Sequence, residues 1–219
     1  MSNGTKPMDI FGEEWHNHDQ KMAFNWDRVV RPEDTVLIAG DTSWAMRLKE
    51  AIPDFEWIAA RPGRKIMAKG NHCYFWSTQR KMMEILGPLG IETLNADCTM
   101  VGGIAVAATR GWITPSDPRF DPAKDQVVYQ REIQRLERAL SRVPDDAEQV
   151  IAMMHFPPYA NQGEETDFIK LLVDNAVDIV VYGHLHGRYL QNVLTGIHWN
   201  MKFYCVSADY LDFTPCRIL

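Results

Sequence analysis

The chain has 219 residues, 46% hydrophobic and 24% charged, a balance that supports a well-filled core and excludes a largely disordered, collagenous or coiled-coil protein. Its 23 basic and 29 acidic side chains give a net charge of −6, the wrong sign for a protein whose affinity comes from neutralising nucleic-acid phosphates. No apolar stretch approaches the ~20 residues that a bilayer crossing needs, residues 1–7 are polar, and Cys73, Cys98, Cys205 and Cys216 lack metal-knuckle spacing, so the expectation is one cytoplasmic domain over residues 1–219, with reduced thiols and neither a membrane nor a stable nucleic-acid partner.

Residues 13–30 carry Trp15, Met22, Trp26, Val29 and Val30 at roughly helical spacing, and Pro32 marks their end. Residues 35–39 form a short aliphatic run that predicts a buried strand stopping at Gly40-Asp41. Ser43 reads as the cap of a helix through Trp44, Leu48 and Ile52, with Pro53 as an interruption, and residues 65–69 predict a second strand ending at Gly70-Asn71-His72. Ser77 opens a helix over 78–86. Strands follow at 91–94, 98–101 and 104–109, the last two joined in a hairpin at Gly102-Gly103. Residues 126–143 predict a long amphipathic helix offering Val127, Tyr129, Ile133, Leu136 and Leu140 to the core, and Pro144-Asp145-Asp146 ends it. Strand 150–154 runs straight into His155, a helix follows at 164–173, and strand 179–182 ends at Gly183-His184-Leu185-His186. Residues 199–219 are rich in strand formers and lack a helical face.

Asp41, Asn71, His155, His184 and His186 thus all follow predicted buried strands, and α/β sheets place their binding sites at those carboxyl ends. Taken singly each has a plain structural reading: Gly-Asp after a strand is most often a turn, and a histidine before Phe156-Pro157-Pro158 is most often a hydrogen-bonded residue at a strand end. Ligand types recurring at four strand tips make the stronger pattern. A carboxylate, an amide oxygen and imidazoles suit manganese, iron or zinc better than calcium. Gly183 is expected to allow close approach at the His184-His186 turn.

The ordered series Gly40-Asp41, Gly70-Asn71-His72, His155 and Gly183-His184-Leu185-His186 resembles that of the calcineurin-like metallophosphoesterase superfamily. Residues 6–12 and Thr109-Arg110-Gly111-Trp112 resemble a bacterial branch of predicted phosphoesterases. The resemblance implies an α/β sandwich of two mixed β-sheets flanked by helices. It also implies a metal-dependent hydrolase of phosphate monoesters or diesters, acting on a phosphorylated small molecule or a phosphodiester. By it Asp41 would bridge two divalent ions, Asn71, His155 and His184 would complete one site, and His186 would belong to the other. His72 would be the proton donor while a metal-activated hydroxide attacks phosphorus.

Arg110 follows a strand, from which its guanidinium could clamp phosphate oxygens; a structural ion pair is the equal alternative. Tyr74, Phe75 and Trp76 read as packing and, like His198, receive no catalytic role. His16-Asn17-His18 reads as a solvated helical face.

Two features depart from the family pattern. Its opening strand, ending in Asp-x-His and supplying ligands to the site of His186, has no counterpart here, and the expectation is that the natural chain starts upstream of Met1. The competing reading is therefore a catalytically impaired protein that holds one ion. Cys73 also stands where relatives commonly carry an acidic residue, and the expectation is that it is a buried free thiol.

Overall fold

A computed structural model describes residues 8–161 and 163–219; Lys6 and Pro7 of the family-like segment, and the rest of the polar stretch 1–7, lie outside them. Strands β1 (Thr35–Ile38), β2 (Arg64–Ala68) and β3 (Ile91–Leu94) form a parallel sheet in that spatial order. A second sheet contains β4 (Asp97–Val101), β5 (Ile104–Thr109), β6 (Gln149–Met154), β7 (Ile179–Tyr182), β8 (Gly196–His198) and β9 (Met201–Cys205), in the order β4-β5-β6-β7-β9-β8. Its middle is parallel, and the β4–β5 hairpin and β8–β9 are antiparallel. The three-stranded sheet is thus parallel throughout, while the six-stranded one is mixed.

Alternation along the strands explains the layers. Ile66 and Ala68, Val106 and Ala108, Ile151 and Met153, and Ile179 and Val181 pack between the two sheets. The opposite face of the large sheet, with Ala107, Ala152, Val180 and Tyr182, packs on α4 (Pro122–Leu140) and α5 (Asp167–Asp174) through Leu136, Leu140, Phe168 and Leu172. The outer face of the small sheet, with Met67, packs on Trp26 of α1 (His18–Val29), Phe55 of α2 (Ile52–Ala59) and Met82 of α3 (Gln79–Leu86). Strands covered on both faces read as continuous apolar runs, which is why they are plain in the sequence.

Several local expectations are corrected. The stretch 13–30 is not one helix: a 3-10 turn, Glu13–Trp15, precedes α1, and Asn17 stands between them at φ 52°, so His16-Asn17-His18 is a junction. His18 bonds through Nδ1 to the Trp15 carbonyl and is half-buried. Ser43 caps no helix. Its hydroxyl, buried, donates to Asp54, and Pro53 sits in the first turn of α2, where its missing N–H costs nothing. Helix α4 begins earlier than its apolar pattern, because the Asp121 carboxylate accepts from the Ala123 N–H and Pro122 opens the first turn. Val127, inside the expected stretch, is 74% exposed, so it is not a core residue. Beyond β9 the chain turns through 208–213 rather than continuing as strand. Cys73 and Cys205 are buried and Cys98 half-buried, as core filling requires, but Cys216 is exposed; all four thiols are free.

Candidate metal centre

Five predicted ligands follow the carboxyl ends of β1, β2, β6 and β7, and two glycines let the first two tips close. A Cβ on Gly70 would stand 2.0 Å from Asp41 Oδ1, and one on Gly40, at φ +96°, would stand 2.6 Å from the Gly70 nitrogen. The backbones therefore meet only without side chains. Gly183 is different: a Cβ there would find ordinary contact at 3.7 Å from Ala39, so the close approach belongs to Gly40 and Gly70. Asp41 and His184 themselves sit at φ 53° and 69°, left-handed conformations that cost L residues energy and cluster at functional sites.

The hydrogen atoms in this cluster can be counted. His155 is 2% exposed, and its Nδ1 lies 2.8 Å from the Ala39 carbonyl, which can only accept, so the ring's one proton sits there in the neutral form. Its Nε2 lone pair then faces Asn71 Oδ1 at 2.6 Å, His184 Nδ1 at 3.2 Å and Asp41 Oδ2 at 3.2 Å. His184 Nδ1 is in turn 3.1 Å from Asn71 Oδ1. Four potential ligand atoms converge, and His155 Nε2 carries no proton of its own toward its neighbours. A borderline divalent cation fits this oxygen and nitrogen set. Among the described residues, Asp41, His155 and His184 form a group of His, Cys, Asp and Glu ligand atoms that one ion could gather.

The surroundings support a neutral His184 and an anionic Asp41. Burial, and then the neighbouring His155, push His184 down to about 3. Burial would raise Asp41, but its contact with His155 and the His72 N–H, donating to Oδ1 at 2.8 Å, hold it below the usual carboxylate range. Phe156 packs on the His184 ring at 3.9 Å between centroids and fixes its plane. Cys73 accepts the Gly70 N–H, and burial followed by Asp41 push its thiol up to about 11, so it stays protonated in the metal-free protein.

His186 stands apart from this group. Its Nδ1 lies 2.7 Å from Oδ1 of Asp209, whose side chain is 3% exposed and whose Oδ2 accepts the Gly187 N–H at 2.9 Å. A carboxylate on one nitrogen leaves Nε2 as the open one, the common arrangement behind metal-ligating histidines. Trp15 meets the His186 ring edge-on at 5.5 Å. Asp209 was not anticipated, although it too follows a strand, β9, and the reasoning that found the other tips applies to it.

His72 places Nδ1 3.1 Å from the Tyr74 hydroxyl and packs against Trp44 at 5.4 Å. The Tyr74-Phe75-Trp76 cluster therefore divides: Phe75 is core beside Phe55, and Tyr74 is exposed and attends His72. Arg110 gives one amino group to Glu132 at 2.8 Å and lies over Trp112 at 4.4 Å, while its backbone carbonyl accepts the N–H groups of His155 and Phe156. His198 meets the Thr195 carbonyl on the far edge strand.

The family model described as calcineurin-like phosphoesterase matches residues 14–188. The Gene 66 protein of Mycobacterium phage L5 is 47% identical over 55 residues, which cover 25% of this chain and 26% of that protein. The crystal structure of the phosphopantetheinyl hydrolase PptH from Mycobacterium tuberculosis superposes with a TM-score of 0.52 at 15% identity, covering 80% of this chain and 79% of that one. At that identity the likeness is one of fold. No helix among the described residues is long and apolar enough to cross a membrane.

Proposed function

The chain belongs to the calcineurin-like phosphoesterase family, and from that membership we propose that it is a metal-dependent hydrolase of phosphate monoesters or diesters whose centre lies at Asp41, Asn71, His155 and His184. The observation that carries the reading is the convergence of three further ligand atoms, from Asp41, Asn71 and His184, on the proton-free Nε2 of His155. Divalent ions held there, manganese, iron or zinc, supply Lewis acidity and lower the pKa of a bound water. The protein's own part is positional. The Ala39 carbonyl fixes the His155 tautomer, Phe156 fixes the His184 ring, and Asp209 fixes His186 as a ligand to a second ion. His72, one residue beyond Asn71 and tied by its N–H to Asp41, gives its proton to the leaving oxygen. Arg110, with its fork held by Glu132, takes the substrate's phosphate oxygens. The substrate is a phosphorylated small molecule or phosphodiester met in the cytoplasm, and the whole of residues 1–219 acts as one domain.

A second reading, a one-ion protein with little turnover, is favoured by His186 lying outside the group that one ion could gather. One experiment separates the two. The manganese-loaded protein is assayed with an aryl phosphodiester and an aryl phosphate, and the metal retained per chain is counted. Turnover that disappears in Asp41→Asn and falls at least ~10-fold in His72→Ala is expected of the hydrolase. About one ion per chain with no turnover on either substrate would establish the binder instead.

A further inference from the structure

Next to the ligand cluster the chain concentrates positive charge that its own carboxylates do not balance. Glu132, wholly buried on α4, accepts from Arg110 at 2.8 Å, from Arg135 at 2.6 Å and from the Thr109 hydroxyl at 3.1 Å, so both of its oxygens are engaged. Lys69 is half-buried beside this group, within the fields of Arg110, Arg135 and Glu132, and has no hydrogen-bond or ion-pair partner among the described residues. Arg110 Nε is buried with no acceptor. Three cations around one carboxylate leave an excess of two positive charges in a chain whose net charge is −6. With both Glu132 oxygens already engaged, Lys69 and the unpaired Nε of Arg110 add a positive field that no carboxylate of this group answers.

The location bears on the site. Lys69 immediately precedes Gly70-Asn71, and the Arg110 carbonyl holds the N–H groups of His155 and Phe156. The Arg110 and Arg135 side chains keep 12% and 30% exposure, so the group is reachable from solvent.

We propose that Lys69, Arg110 and Arg135 form an anion subsite flanking the metal centre, and that it holds a second phosphoryl group of the substrate while the first is cleaved. The substrate class is accordingly a diphosphate ester, or a phosphate ester bearing a further phosphate close by. Forked guanidinium groups suit tetrahedral phosphate oxygens, and Lys69 adds a point charge. That the anion belongs to a substrate rests on the phosphoesterase reading; the subsite itself does not.

The test begins with metal-free protein and inorganic pyrophosphate as the probe in titration calorimetry. Binding is expected to weaken at least tenfold in Lys69→Gln and in Arg135→Gln, to return in Lys69→Arg, and to persist in Asp41→Asn. No binding by the parent protein, or an affinity unchanged from the parent's in both glutamine variants, overturns the subsite. Circular dichroism melts identify a variant that fails to fold, and the more exposed Arg135 provides the independent variant. With manganese, the ratio of kcat/KM for an aryl diphosphate over the matching aryl phosphate is expected to fall at least tenfold in Lys69→Gln. An unchanged ratio overturns the substrate assignment. Pyrophosphate binding without hydrolysis of any ester supports the subsite and sinks the phosphoesterase reading instead.

Discussion

Single residues at the strand tips are constrained in ways that their identities reveal only in part. Gly40 and Gly70 are required because two backbones touch, and Asp41 and His184 accept left-handed conformations to bring their donor atoms to one point. Such strain persists where surrounding structure fixes it. In Gly70→Ala the new methyl would fall on Asp41 Oδ1, so the carboxylate must leave the cluster. Manganese affinity measured by calorimetry is expected to drop by ~10-fold or more, a loss of the size seen when the support of a metal ligand is removed. Retained affinity would mean that Asp41 is not a necessary ligand. The aspartate and glycine were visible as a turn-like pair; their pressing against a second Gly-Asn pair was not, because Asp41 and Gly70 are 29 positions apart in sequence.

At the scale of elements, strands were legible and helix boundaries less so. The strands β1, β2, β5, β6 and β7 are covered on both faces, so their sequences carry uninterrupted apolar runs that stop at polar tips. Helix α4 is longer than its apolar stripe because Asp121 and Pro122 start it by capping, about two turns before the first buried residue, Tyr129. Burial separates a valine and a leucine that periodicity treats alike. Leu136→Ala, at a fully buried position, is expected to cost about 2–5 kcal/mol in urea unfolding. Val127→Ala, on the exposed face of the helix, should change stability by no more than ~0.5 kcal/mol. Equal losses would mean that the stripe on α4 is rotated from the one described. Glu132 sits within the same helix as a buried charge among apolar neighbours, intelligible only once Arg110, Arg135 and Thr109 surround it.

For the whole molecule the consequence is a metal-free state that is sensitive to acid. His184 titrates at about 3 in the fold against an ordinary value near ~6.5, so between these values the unfolded chain holds a proton that the folded one does not. Stability therefore falls as pH drops through that window, at up to about 1.4 kcal/mol per pH unit from this group alone. Urea midpoints of metal-free protein between pH 7 and pH 4 are expected to show the decline, and His184→Gln should flatten it. An identical slope in the variant would remove His184 as its source. The sequence by itself determined the α/β class, the strands and the tips that carry ligand types, because burial on both faces and abrupt polar stops are local properties of the chain. It also offered Asp41, Asn71, His155 and His184 as a set. Only the tertiary structure decided that these four share one point while His186 is turned to Asp209, that Tyr74 attends His72, and that Lys69 shares a cationic corner with Arg110. The physical reason is that convergence of donors, the tautomer of His155 and the balance of buried charge depend on distances between atoms of different strands, and no local pattern encodes those distances.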